Sequence, residues 1–107
     1  MITTHVLDTT RGRPAAGIPV TLDFEASPHD WKQLGKDITD ADGRARNLTD
    51  AGVDLAKGVY RLTFDVKSYQ QGFYPHVILV FHVDSPSEHY HVPLLLSKFG
   101  YTTYRGS

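Results

Sequence analysis

The chain of 107 residues is divided into short runs in which apolar and polar residues alternate, and each run ends at a cluster of turn-forming residues. In "VTLDFE", for example, Val20, Leu22 and Phe24 alternate with polar residues. Because successive side chains of a strand point to opposite faces, such runs predict half-buried β-strands. Seven or eight such runs, little helical periodicity and no repeat or linker together predict a mainly β sandwich of antiparallel sheets. We expect residues 1–107 to form a single domain.

The predicted strands are short and cover residues 2–8, 18–26, 31–39, a few residues from Arg44, 59–66, 76–83 and 90–96. Asp42 and Gly43 predict a hairpin turn, because glycine adopts positive φ at no steric cost. Residues 76–83 are apolar on both faces, which predicts a central strand or one whose outer face is covered by a partner subunit. Only residues 66–72 favour a short helical turn. Residues 48–58 are too interrupted by glycine for much regular structure.

Composition excludes several classes of function. The net charge of -1 gives no basic surface for nucleic acid or for an anionic membrane. The absence of cysteine excludes disulfides and thiolate metal sites. The first ten residues lack a basic region followed by a long apolar stretch, and we expect a soluble, cytoplasmic protein. A chain this short does not easily enclose a pocket alone, so a pocket shared between subunits is plausible.

Histidines are the first candidates for a functional site. His89 and His91 share one face of the last predicted strand, about 6 to 7 Å apart by strand rise. Such a pair can bind a metal when a third ligand, such as His5, lies close. No nearby acidic residue completes a recognisable ligand motif, however, and histidines on strand surfaces are common. We therefore predict no metal at these histidines.

A covalent nucleophile is poorly supported, because the chain has no cysteine and no serine within a G-x-S-x-G motif. Histidine together with arginine remains. A neutral imidazole can activate water, and a guanidinium can stabilise negative charge on a carbonyl oxygen. From the residues alone an alternative stays open, in which Arg44 and Arg46 begin a solvated strand and Arg105 lies in a solvated tail.

Three stretches carry a resemblance to a known family: "THVLDTTRGRPAAGIPVTL", "TDADGRARNL" and "HYHVPLLLSKFGYTTYRGS". In their order and spacing they resemble the transthyretin-like family, and in particular its 5-hydroxyisourate hydrolases. The resemblance covers nearly the whole chain. Its most specific part is "YRGS", because the thyroid-hormone carriers of the family lack that tail.

The resemblance implies a fold, an assembly and a reaction. The implied fold is a sandwich of two four-stranded antiparallel sheets with one short helix near residues 67–71. The implied assembly is a homotetramer, a dimer of dimers, whose sites lie at the subunit interface and open into a central channel. The implied reaction is hydrolysis of 5-hydroxyisourate to 2-oxo-4-hydroxy-4-carboxy-5-ureidoimidazoline, a step in the degradation of urate to allantoin. It needs no cofactor.

The resemblance also implies the site residues. The implied catalytic residues are His5, Arg44, His91 and Ser107, and the implied substrate-binding residues are Tyr104, Arg105 and Gly106. One histidine would activate water, and the other would hold the substrate or protonate the leaving nitrogen. Arg44 would stabilise the oxyanion through parallel hydrogen bonds. Alternation places Arg46 on the same face as Arg44, so a contribution from Arg46 stays open.

Two other classes of function remain as alternatives. A transthyretin-type carrier would keep the tetramer and the channel but would need an apolar channel for a large aromatic ligand, which the histidines and arginine disfavour. A purely structural sandwich would need none of these polar residues.

Overall fold

A computed structural model describes residues 1–50 and 54–107 of the chain. Its regular elements are β1 (Ile2–Asp8), β2 (Arg13–Pro14), β3 (Pro19–Ser27), β4 (Asp30–Ile38), β5 (Arg44–Ala45), β6 (Gly58–Asp65), a 3₁₀ turn (Val66–Ser68), β7 (His76–Val83), β8 (Tyr90–Leu96) and β9 (Tyr101–Thr103). The predicted strands are present, and the expectation for residues 48–58 lies partly outside the described residues. In the described part of the chain, no helix has the length and apolarity needed to cross a membrane.

The strands form two sheets that pack face to face. The β3 sheet has the order β4-β3-β6-β7, and the β1 sheet has the order β2-β1-β8-β9 with β5 also paired to β1. Apolar side chains from both sheets fill the space between them, and the largest fully buried ones include Tyr60, Phe64, Ile2, Ile18, Leu22 and Leu48. The mainly β sandwich predicted from the sequence is confirmed, with five strands rather than four in one sheet.

The prediction of purely antiparallel sheets is wrong at one pair of strands. β1 and β8 run parallel over their whole length, from the pair Ile2 and Tyr90 to the pair Asp8 and Leu96. Alternation shows which face of a strand is buried, but it carries no information about the direction of the neighbouring strand. The parallel pair lies at the centre of the β1 sheet and joins the two ends of the described chain.

The predicted hairpin turn at Asp42 and Gly43 is a turn between sheets rather than a hairpin. β5 follows it and pairs with β1, whereas β4, which precedes it, pairs with β3. Gly43 has φ of +76°, a backbone conformation that other residues rarely adopt. The carboxylate of Asp40 accepts hydrogen bonds from the N–H groups of Asp42 and Arg44. The turn thereby directs Arg44 onto the outer face of the other sheet.

β7 is an edge strand, so the alternative of a central strand is wrong. Its outward side chains include Ile78 and Val80, which are 53% and 59% exposed. The apolar outer face that the sequence shows for this strand is therefore uncovered in the single chain. The short helix expected near residues 67–71 is a single 3₁₀ turn over Val66–Ser68.

A buried carboxylate ties this 3₁₀ turn to the end of β1. Asp8 is 1% exposed, and its carboxylate accepts a hydrogen bond of 2.7 Å from the hydroxyl of Tyr69 and one of 3.0 Å from the N–H of Arg11. Burial alone would raise the pKa of Asp8, but these hydrogen bonds and the charge of Arg11 lower it below its ordinary value. The folded state therefore favours the ionised carboxylate.

We predict that Tyr69→Phe lowers the free energy of unfolding by about 1.5–3 kcal/mol at neutral pH, because a hydrogen bond to a charged group is lost. A lowered folded-state pKa stabilises the protein above the unfolded-state value, and this stabilisation disappears as pH falls through the lowered pKa of Asp8. The difference in the free energy of unfolding between Tyr69→Phe and the unmodified protein should therefore shrink in strong acid. Urea unfolding at matched protein concentration measures this free energy, with Tyr74→Phe as the control. An equal loss of unfolding free energy in Tyr69→Phe and Tyr74→Phe at neutral pH would contradict the prediction.

Candidate active site

The outer face of the β1 sheet carries the predicted histidines. Because β1 and β8 are parallel and in register, Thr3 lies beside His91, and His5 lies beside Pro93. Ile2, Thr4 and Val6 of β1 point the other way and are fully buried in the core. The rings of His5 and His91 lie on this outer face with their centroids 6.5 Å apart. The structure thus brings together two residues that are 86 positions apart in the sequence.

Arg44 reaches the same face from β5. Its Cα is paired with that of His5 across the two strands, so the two side chains leave the sheet on the same face. Arg44 is half-buried, whereas Arg46 is exposed and follows the end of β5. Both arginines line one hollow together with His91. The strand register therefore favours Arg44 as the arginine nearer to the histidines and leaves Arg46 at the rim.

Two adjoining hollows meet at His91 and Ser107, which line both of them. One hollow, of about 520 Å³, is also lined by the two arginines and by Thr3 and His89. The other, of about 280 Å³, is also lined by His5, Tyr104 and Gly106. A larger cavity, of about 640 Å³, lies elsewhere, between the edge strands β7 and β9. The two hollows, rather than this cavity, are lined by the predicted histidines and by Arg44.

The last residues of the sequence fold back along β8. The N–H of Gly106 donates a hydrogen bond of 2.8 Å to the carbonyl of His91. A Cβ atom at position 106 would lie 2.8 Å from Cδ2 of the His91 ring and 3.1 Å from Cγ of Pro93. Only glycine therefore fits at this position without moving the imidazole. Gly106 acts on the site by contact with His91, and the structure places Ser107 directly beside it in the hollows.

Arg105 is the predicted site residue that the structure does not bring to the histidines. Its guanidinium donates a hydrogen bond of 3.3 Å to Glu88 and lies 4.4 Å above the ring of Tyr90. It lines the cavity between the edge strands and neither of the two hollows. The binding of substrate by Arg105 stays a prediction. Tyr104 lines both this cavity and the smaller hollow.

Sequence reasoning missed Thr3. Its hydroxyl oxygen lies 2.8 Å from Nδ1 of His91 and 2.8 Å from Nε2 of His89. Strand alternation already places Thr3 on the same face as His5, so the pattern contained a signal for it. Its two histidine partners, however, follow from the register of β1 on β8, which the sequence does not show.

Burial lowers the pKa of His91 below its ordinary value of 6.5, because the imidazolium form loses solvation. Neighbouring positive charge lowers it further and comes from Arg44, His5 and His89. His91 is therefore neutral at neutral pH, which is the form that can accept a proton.

The histidines do not form a metal-binding group in this structure. Nε2 of His89 and Nδ1 of His91 both point to the hydroxyl of Thr3, and the two ring centroids are 6.4 Å apart. Among the described residues, no group of three or more histidine, cysteine, aspartate or glutamate side chains is arranged to hold a metal ion. The chemistry that the site offers is proton transfer by imidazole beside a guanidinium.

The fold and the site together define a class: a two-sheet β-sandwich that carries a histidine and arginine cluster suited to hydrolysis on the outer face of one sheet. Residues 2–106 match the model of the HIUase/Transthyretin family. The chain belongs to this family.

Two relatives illustrate the sequence similarity. The chain is 43% identical to the 5-hydroxyisourate hydrolase of Mus musculus, and the match covers 99% of this chain and 94% of the mouse protein. It is 44% identical to the uric acid degradation bifunctional protein TTL of Arabidopsis thaliana, over 99% of this chain. The chain spans only 37% of the length of that plant protein.

Two solved structures illustrate the similarity of fold. Transthyretin from Sparus aurata superposes with a TM-score of 0.88 at 31% identity, covering 98% of this chain and 95% of the transthyretin. The 5-hydroxyisourate hydrolase of Klebsiella pneumoniae superposes with a TM-score of 0.79 at 30% identity, covering 99% and 92% of the two chains. The fold is thus shared by proteins with both names.

We predict that Arg44→Gln raises the pKa of His91 toward its ordinary value, because removing a nearby positive charge favours the imidazolium form. NMR titration of the histidine ring protons measures this change. Arg11→Gln removes the same charge beside Asp8 and serves as the matched control. A pKa of His91 that stays the same or falls in Arg44→Gln would show that the guanidinium does not act on this ring.

Proposed function

We propose that this protein is a 5-hydroxyisourate hydrolase, which opens the six-membered ring of its substrate by attack of water on a cyclic amide. The observation that carries the proposal is the meeting of His5, Arg44 and His91 on one sheet face, with Ser107 beside them. Two relatives named 5-hydroxyisourate hydrolase match 99% of the chain, at 43% and 45% identity. The proposed product is 2-oxo-4-hydroxy-4-carboxy-5-ureidoimidazoline, on the route from urate to allantoin.

His91 is the proposed base. Its burial and the surrounding positive charges keep it neutral, so it can accept a proton from the attacking water. His5 lines the smaller hollow together with His91, with the two ring centroids 6.5 Å apart. It is the proposed partner that holds the substrate or protonates the leaving nitrogen. We propose this assignment because burial and positive charge lower the pKa of His91.

Arg44 is the proposed group that stabilises the oxyanion. Its planar fork donates two parallel hydrogen bonds, which suits a carbonyl oxygen that gains negative charge in the transition state. Ser107 and Tyr104 supply hydroxyl groups at the hollows and are proposed to position water and substrate. Gly106 is proposed to act by leaving room for the His91 ring, and Arg105 by fixing the tail to Glu88.

A carrier function is the weaker candidate. Among the solved structures, the transthyretin of Sparus aurata and the hydrolase of Klebsiella pneumoniae are equally similar in sequence, at 31% and 30% identity, so it is the site that disfavours a carrier. A large aromatic ligand is best held by an apolar surface, whereas three histidines and two arginines line the two hollows on this face.

We predict that the protein accelerates the decay of freshly generated 5-hydroxyisourate well beyond its spontaneous rate, measured by ultraviolet absorbance. His5→Ala and His91→Ala should each lower kcat by about 100-fold or more, because general acid–base catalysis contributes about that factor. Both variants should keep the fold and oligomeric state of the parent.

The matched control is His29→Asn. His29 is exposed and has φ of +64°, a conformation that asparagine tolerates better than alanine. It should retain full activity. Decay at the spontaneous rate with the unmodified protein would exclude the proposed function, and a loss in His29→Asn equal to that in His91→Ala would exclude the proposed site.

We further propose a homotetramer, built as a dimer of dimers with sites at the subunit interface. β7 and β9 are both edge strands and border one cavity of about 640 Å³. Edge strands with exposed apolar side chains are unusual in monomers, because they pair with other chains. Further apolar residues are exposed nearby, such as Phe73 at 68%. A second copy pairing along these edges would cover this surface.

Sedimentation should show a species of four times 12.0 kDa. Ile78→Lys should weaken this assembly, because Ile78 lines the cavity between the edge strands. Ile38→Lys is the matched control, since Ile38 is similarly exposed on β4 at the opposite edge of the same sheet. A fully active 12.0 kDa species at micromolar concentration would contradict the proposed assembly.

The single domain over residues 1–107 and the cytoplasmic location remain predictions. The family model supports the first, because its match extends over residues 2–106.

A further inference from the structure

Thr3 is placed between two histidines by the register of the central strands. Its Cα is paired with that of His91, and His89 lies two residues earlier on the same side of the chain. Its hydroxyl oxygen is 2.8 Å from Nδ1 of His91 and 2.8 Å from Nε2 of His89. Thr3 is only 7% exposed, whereas His89 is exposed. The hydroxyl therefore connects a half-buried imidazole to one that solvent reaches.

A threonine hydroxyl has one hydrogen to donate. When both histidines are neutral, Thr3 can donate to only one of them, and the other must donate its own N–H to the hydroxyl oxygen. The tautomers of His89 and His91 are consequently coupled. If Nδ1 of His91 carries the hydrogen, Thr3 donates to Nε2 of His89, and Nε2 of His91 carries no hydrogen.

The same arrangement fixes which atom of His91 faces the site. Nδ1 is engaged by Thr3, and Cδ2 lies against Gly106, where even a methyl group would not fit. Nε2 is therefore the ring nitrogen left for water or substrate. It can act as a base only in the tautomer that holds a hydrogen on Nδ1.

We propose that Thr3 is a positioning residue that holds His91 in its Nε2-base tautomer and relays a proton from it to His89. The inference rests on the proposed function. Nε2 of His91 takes a proton from water, Nδ1 of His91 passes its proton to the Thr3 oxygen, and Thr3 passes its own proton to Nε2 of His89. The charge then resides on exposed His89. When Nε2 of His91 donates its hydrogen to the leaving nitrogen, the proton on His89 returns through Thr3 to Nδ1 of His91, which restores both neutral imidazoles.

The charged and titratable groups around His91 favour this relay. Arg44 of β5 and His5 of β1 face it from one side, Arg46 lines the same hollow, and His89 lies on the other side of Thr3. Burial and positive charge lower the pKa of His91, so an imidazolium is unfavourable there. Transfer of the proton to the exposed imidazole places the charge in water.

The test compares Thr3→Val, which keeps the shape and removes the hydroxyl, with Thr3→Ser, which keeps the hydroxyl. Thr3→Val should lower kcat about 10- to 100-fold with little change in KM, because a catalytic histidine in the wrong tautomer loses activity. Thr3→Ser should restore most of the rate. Thr9→Val is the control, since its hydroxyl donates to the carbonyl of Leu96 at the far end of β1.

His89→Gln separates relay from positioning. Its amide oxygen can accept the Thr3 hydrogen bond but cannot take up a proton, so kcat should still fall about tenfold. ¹⁵N NMR of the unmodified protein should show His91 protonated on Nδ1, and this preference should disappear in Thr3→Val.

Each result decides the inference. Full kcat in Thr3→Val, or equal loss in Thr3→Ser and Thr3→Val, would overturn the positioning role of the hydroxyl. Full kcat in His89→Gln would overturn the relay. These outcomes are distinct from failure of the proposed function, in which the unmodified protein itself leaves the decay rate of 5-hydroxyisourate unchanged. The NMR measurement tests the tautomer of His91 without any turnover.

Discussion

The parallel pairing of β1 with β8 is the constraint on which the rest of the structure depends. It joins the first strand of the chain to the strand before the tail, and it places Thr3 beside His91 and His5 beside Pro93. The core faces of both strands are sealed by residues such as Ile2 and Leu94, which are fully buried. A shift of one residue in this register would turn core residues outward, so burial itself holds the site in place.

Burial of the inner face of β1 and β8 thus fixes the positions of the polar side chains on their outer face. The outer face excludes enough water to lower the pKa of His91, yet it remains open at two hollows. The tail also restrains His91, because Gly106 donates a backbone hydrogen bond to the His91 carbonyl and packs against the His91 ring. The imidazole is held from both sides, by a hydroxyl at Nδ1 and by a backbone at Cδ2. Such restraint suits a group that must present one nitrogen to a substrate.

The exposed edge strands of the sandwich are the surface at which we propose that subunits assemble. β7 and β9 end the two sheets on one side and leave apolar side chains in contact with solvent. Arg105 contacts Glu88 on this side, while Ser107 lines the two hollows. The tail therefore passes between the proposed assembly surface and the proposed site. Assembly and catalysis are expected to constrain the same few residues.

The sequence by itself determined the strands and the types of residue in the site. Alternation has a period of two and reports local burial, so β1, β3, β6 and β8 were predicted within about a residue. The motifs that resemble the family identified His5, Arg44 and His91, which the structure brings to one face.

Only the tertiary structure decided which strands are neighbours and in which direction they run. Local alternation carries no such information, so the parallel pair, the crossing after Gly43 and the edge position of β7 were not predicted. For the same reason the sequence showed neither the bridge through Thr3, which joins residues 86 and 88 positions apart, nor the contact of Arg105 with Glu88. These contacts exist because burial of two apolar faces selects one register, and the polar residues on the outer face follow it.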